Sequence, residues 1–166
     1  MPSIDLHVSV SLPAALVGPE LLAILKAIES QTPPFENFAI STDLSNLHLP
    51  NAAHLSVPIA VQIGRAHGAA PQRIDFAFSA TDKTALFPSF AGSLRCDAEG
   101  PSKTTVWLIG DYTPPFGYVG AILDRTMLHN VAEQTLTPFL EAIVAFAQSS
   151  IKHREHGTIR AERFNQ

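Results

Sequence analysis

One cysteine, Cys96, occurs in the whole chain, so no internal disulfide can form and no cysteine cluster can hold a metal. Positive charge is scarce: 11 Lys and Arg stand against 15 Asp and Glu, for a net charge of −4. With no dense basic stripe, nucleic acid is excluded as the main partner, because phosphate binding needs clustered cations. Lys152, Arg154, Arg160 and Arg163 do gather near the C-terminus, where they read as a solvated tail. Charged residues make up only 16% of the chain, against a usual share of roughly 25%. Such a surface exposes more neutral and apolar area, which favours a self-association patch, a homodimer among the choices, or another partner. No apolar run approaches the roughly 20 residues that cross a bilayer. The start, Met1-Pro2-Ser3-Ile4-Asp5, has neither the basic nor the apolar region of a signal peptide. The expected compartment is the cytoplasm. Seven histidines are present, yet none shows HExxH spacing, and GxSxG, P-loop and GxGxxG motifs are missing. Neither a metal nor a cofactor is expected.

What the chain does have is periodicity. Ile4, Leu6, Val8, Val10 and Leu12 alternate with Asp5, His7, Ser9 and Ser11, the pattern of a strand with one buried face. Pro13 to Val17 is read as a short turn, and Gly18-Pro19-Glu20 as the start of a second helix whose stripe is Leu21, Ile24, Leu25 and Ile28. Strand alternation returns at Phe35–Ser41, at Leu55 to Ile63, at Ile74 to Ala80, at Phe90 to Cys96 and at Thr104–Tyr112. Pro58 inside the second of these runs suggests an edge strand or a bulge. Residues 43–54 read as a loop or flap. The short spacings favour hairpins and antiparallel pairing. After Pro114-Pro115 and Gly117 the period becomes helical. Leu128, Ala132, Leu136, Phe139, Ile143 and Phe146 form an apolar stripe, and Pro138 within it predicts a kink. The expectation is a single α+β domain over 1–150 with a tail over 151–166. A curved antiparallel β-sheet of about six or seven strands wraps a long C-terminal α-helix within 117–150, and two short helices follow the first strand.

Phe87-Pro88-Ser89-Phe90-Ala91-Gly92-Ser93-Leu94, followed by Gly110-Asp111-Tyr112-Thr113-Pro114-Pro115-Phe116-Gly117, carries a resemblance. With Gly120, Asp124-Arg125, His129, Val131-Ala132-Glu133 and Phe139-Leu140, this pattern resembles a group of small bacterial proteins of the START-like superfamily, also called SRPBCC or helix-grip proteins. The resemblance implies a deep apolar cavity between the sheet and the last helix. Members of that superfamily bind lipids, sterols, hormones and polycyclic compounds; some are aromatic polyketide cyclases and others co-chaperones.

On that basis the cavity lining is assigned to Phe76, Phe78, Phe90, Leu94, Leu108, Tyr112, Arg125, Leu128, His129 and Ala132, with an apolar small molecule or lipid as the partner. Arg125 and His129 are four apart beside the apolar stripe. In a cyclase or dehydratase Arg125 would bind a carboxylate or enolate, and His129 would move a proton. The plainer reading pairs Arg125 with Asp124 or Glu133 and leaves His129 at the edge of the stripe. Tyr112 either hydrogen-bonds a ligand or anchors its turn. The aromatic set Phe76, Phe78, Phe90 and Trp107 reads equally as core. Cys96 reads as a small buried hydrophobe. No catalytic set is assigned, and binding is favoured over catalysis.

Overall fold

The structure, a computed structural model, describes residues 3–42, 55–68, 71–81, 89–113 and 125–164. The elements run β1 (Ser3–Val10), α1 (Ala14–Glu29), β2 (Ala39–Thr42), β3 (Leu55–His67), β4 (Arg73–Ala80), β5 (Ser89–Ala98), β6 (Thr104–Thr113) and α2 (Arg125–Phe164). Six strands form one curled antiparallel sheet in the order β1-β6-β5-β4-β3-β2. The first strand closes onto the last, with Ser3 opposite Asp111 and Val10 opposite Thr104. The expected α+β architecture is thus present, with six strands.

The period-two residues fall where alternation puts them. Ile4, Val10, Ile59, Val61, Ile74, Phe76, Phe78, Phe90, Leu94, Val106, Leu108 and Tyr112 are all buried. Over them lies α2, through Ala132, Leu136, Phe139, Leu140 and Ile143. Phe139 is 2% exposed, and burying such a ring stabilises the fold by roughly 1.5–3 kcal/mol. The flank of this core is closed by α1, through Val17, Leu21, Leu25 and Ile28.

Three expectations are corrected. The two short helices after the first strand are one helix, α1, with Pro19 inside it. Gly18 does not open a helix; a Cβ there would lie 2.1 Å from the Pro71 carbonyl oxygen, so the glycine lets the helix touch that backbone. The terminal helix does not stop near 150. It runs on to Phe164 through the segment read as a tail, with Ile151 buried and Arg154 paired to Glu20 of α1. Its apolar stripe ends, but helix-forming residues continue. Across Pro138 it is continuous. Finally, Trp107 is not core: it is half-buried on the outer face, its ring tilted against His7 at 4.6 Å and beneath the Arg95 guanidinium at 5.5 Å.

Pro58 marks a change of partner. Leu55–Pro58 pair with β2, while Ile59 onward pair with β4. Beyond Pro58, among the described residues, the far side of β3 meets no strand: the Ile59 N–H donates to the Phe38 carbonyl at 3.0 Å, and the Ile63 N–H donates to Glu29 Oε1 at the end of α1, at 3.0 Å. On the outer face Asp75 accepts from His67 and Arg73 at 3.2 and 2.9 Å. These two contacts, His67 first, hold its carboxyl below the usual range. The flap expected at 43–54 lies outside the described residues.

Candidate functional site

The concave face is ordered in rows set by strand register. One row runs Val61, Phe78, Phe90, Tyr112. The next runs Ile63, Phe76, Gly92, Gly110, Ile4. The two facing glycines leave a notch in the wall. A Cβ on Gly92 or Gly110 would stand 2.8 or 2.9 Å from the tip of the Phe90 ring, so the ring lies in that notch. Around it Phe76 and Phe90 centroids are 5.3 Å apart, Phe78 and Phe90 5.8 Å, and Phe78 and Phe139 5.1 Å. Sheet and helix therefore meet through aromatic rings.

At the end of the first row the apolar surface stops at a polar chain. Tyr112 is inward by the parity of β6, like Val106 and Leu108, and is 2% exposed. Its hydroxyl lies 3.3 Å from His129 Nδ1, near the start of α2. One helical turn on, Glu133 Oε1 lies 3.2 Å from His129 Nε2. The side chains of His129 and Glu133 are 43% and 45% exposed. The chain thus leads from a buried phenol through an imidazole to a carboxylate in water. Burial pushes the Tyr112 hydroxyl up in pKa, and the negative charge of Glu133 adds to this. The phenol stays protonated. Chemically the set can exchange a proton between interior and solvent, or hold a polar group at the edge of an apolar space.

Of the sequence-based candidates, Phe76, Phe78, Phe90, Leu94, Leu108, Tyr112 and Ala132 are buried on the facing surfaces of sheet and helix. His129 is half-exposed and joined to Tyr112. Arg125 and Leu128 fall in the first turns of α2, and their side chains lie outside the described residues. So do residues 114–124, which precede α2. The partner of His129 that sequence reasoning missed is Glu133, offered there, beside Asp124, as a partner of Arg125. Its spacing of four from His129 was the available signal. Cys96 is buried, and burial, with Asp97 adding to it, pushes its thiol up to about 11. Among the described residues no three His, Cys, Asp or Glu side chains gather to hold a metal. No helix of the described residues is long and apolar enough to cross a membrane.

A shallow hollow of about 390 Å³ also exists on the outer face of the sheet, between Ala60, Gln62, Ala77, Ala91, Asp111 and Thr113. It lies across the sheet from α2 and shares none of the polar chain.

No protein-family model matches the sequence, and no curated protein matches it. Solved structures do. The chain is similar to the Zhui aromatase/cyclase from Streptomyces sp. R1128, at 17% identity and a TM-score of 0.50, over 90% of this chain and 95% of that one. It is also similar to a conserved protein from Geobacillus kaustophilus, at 15% identity and a TM-score of 0.53, over 90% and 97%. At such identities the likeness concerns the fold. With six curled strands and a C-terminal helix across the concave face, the chain has the helix-grip fold of the START-like, or SRPBCC, proteins.

Proposed function

We propose that the chain binds an apolar or amphipathic small molecule between the concave face of the sheet and α2, at the end carrying Tyr112. The observation that supports this most is the setting of the Tyr112–His129–Glu133 chain against an otherwise apolar aromatic wall. A packed core alone needs no polar relay at its rim, whereas a ligand site needs a few placed polar groups on an apolar lining. The notch at Gly92 and Gly110 supplies a reason for room: if the Phe90 ring swings out of it, the wall opens without moving the backbone. Phe76, Phe78, Phe90, Leu94, Leu108 and Ala132 then line the apolar part, and Tyr112 and His129 meet the polar end.

A second reading takes the same place as an active site. A histidine oriented by a carboxylate and touching a phenol is suited to proton transfer. The similarity in fold to an aromatase/cyclase supports a cyclase or dehydratase reaction, with His129 moving the proton and Arg125 holding an enolate.

The test begins with protein purified from its producing cells, denatured and extracted, with mass spectrometry of the extract. Titration of the emptied protein with fatty acids, sterols and aromatic polyketides follows, read by thermal shift. Specific binding, lost or weakened in Phe90→Trp, is expected. An empty extract together with no binding in any class removes the proposal. Turnover of a bound polyketide that His129→Gln abolishes would select the enzyme reading.

A further inference from the structure

We infer that the polar end of this site recognises a head group that donates a hydrogen bond, a neutral hydroxyl on an apolar body, and selects against a carboxylate. This inference rests on the proposal that the interior takes an apolar ligand. It follows from counting hydrogens along the chain of three residues. An ionised carboxylate only accepts, so the His129 nitrogen facing Glu133, Nε2, must carry a hydrogen. In the neutral tautomer that donates to Glu133, Nδ1 is a bare acceptor. The group facing Nδ1 is the Tyr112 hydroxyl, and its single hydrogen is committed there. What remains on the phenol oxygen is acceptor capacity alone.

A ligand reaching that oxygen must therefore bring the hydrogen itself. An alcohol or phenol does so. An ester or ether brings only lone pairs against lone pairs. A carboxylate brings lone pairs and a charge of the same sign as Glu133. Burial raises the cost of that mismatch, because a polar atom removed from water without a partner is unfavourable.

The experiment uses the full chain and four probes with one octadecenyl body: the alcohol, the methyl ester, the carboxylic acid and the bare hydrocarbon. Each displaces a neutral solvatochromic dye. The alcohol is expected to bind about tenfold more tightly than ester or acid, the effect of one well-made hydrogen bond. In Tyr112→Phe that advantage disappears while hydrocarbon binding persists. Glu133→Lys reverses the hydrogens: a lysine donates to Nε2, Nδ1 then carries the hydrogen and donates to Tyr112, and the phenol is freed to donate. In that variant the ester gains on the alcohol, an outcome that a purely structural role for Glu133 does not produce. Equal or tighter binding of the ester by the parent protein overturns the inference. So does an acid preference that Arg125→Gln abolishes, which would assign the head group to Arg125. If hydrocarbon and dye bind without discrimination among head groups, the inference fails and the apolar site stands. If none of the four binds, the site itself fails.

Discussion

Gly92 and Gly110 face each other across the β5–β6 ladder, and each excludes a side chain from the other's space. A Cβ on Gly92 would meet the Ile109 carbonyl oxygen at 2.2 Å and the Gly110 Cα at 2.6 Å. Both are backbone atoms in a central ladder and cannot step aside. Gly92→Ala is expected to cost roughly 1–3 kcal/mol, the range of an overfilled core. Gly157, in α2, meets nothing within 4 Å, and Gly157→Ala should stabilise by up to about 1 kcal/mol. Urea midpoints of the two variants should thus move in opposite directions. Cys96 gives a pH test. Its thiol, pushed up to about 11, should react with a disulfide reagent at pH 8 only when the chain unfolds. The sign for stability follows from linkage. The folded state holds this proton more tightly than the unfolded state, whose value is near 9.0. Its contribution is complete below pH 9 and is lost as pH rises toward 11. Denaturation curves of Cys96→Ala should lack that slope. At this scale the sequence offered Tyr112 and His129 as candidates but not whom they meet. Tyr112 and His129 are 17 positions apart, on a strand and a helix, and no local period relates them. The pair His129 and Glu133 was missed although both sit on one helix at a spacing of four, where a local period does relate them.

The strands are the most legible elements, since a half-buried strand writes its face into every second residue. Their partners were harder to see. The alternation from Leu55 to Ile63 is one unbroken pattern, yet its strand changes neighbours at Pro58, where the proline lacks an N–H to give. Helix ends were hidden for a different reason. An apolar stripe reports where a helix is covered, not where it stops, so α2 outlasts its stripe by more than a turn. Gly18-Pro19 looked like a helix start because local chemistry allows it, while the contact with Pro71 that explains Gly18 is tertiary. Pro138 offers a prediction at this scale. It is an exposed residue inside α2. Pro138→Ala restores a backbone donor to the Gln134 carbonyl and should raise stability by up to about 3 kcal/mol. The readout is the thermal midpoint with helical circular dichroism. If the proline instead shapes the grip, the same variant will bind the apolar probes differently, so both quantities should be measured together.

Across the molecule, the two helices and the two terminal elements bind the sheet into a unit. The last turns of α2 do so unequally. Ile151 is buried and Arg154 pairs with Glu20, whereas Lys152, His153, Glu155, His156 and Gly157 are exposed. Removing residues 158–166 is expected to leave the unfolding midpoint within about a degree or two, while removing 151–166 should lower it by several degrees, since it empties the Ile151 site as well. Equal effects of the two truncations would show that α1 does not lean on that turn. The long-range pairing has a consequence in time. Ser3 belongs opposite Asp111, and roughly a hundred residues separate them. A ribosome adding about 5–20 residues per second needs about 5–20 s to supply that distance. Throughout that interval the first strand has emerged without the neighbour its ladder requires. The nascent chain therefore carries an open, alternating apolar edge for seconds before the fold can close, and the rate of elongation through β5 and β6 governs how long it stays exposed to mispairing.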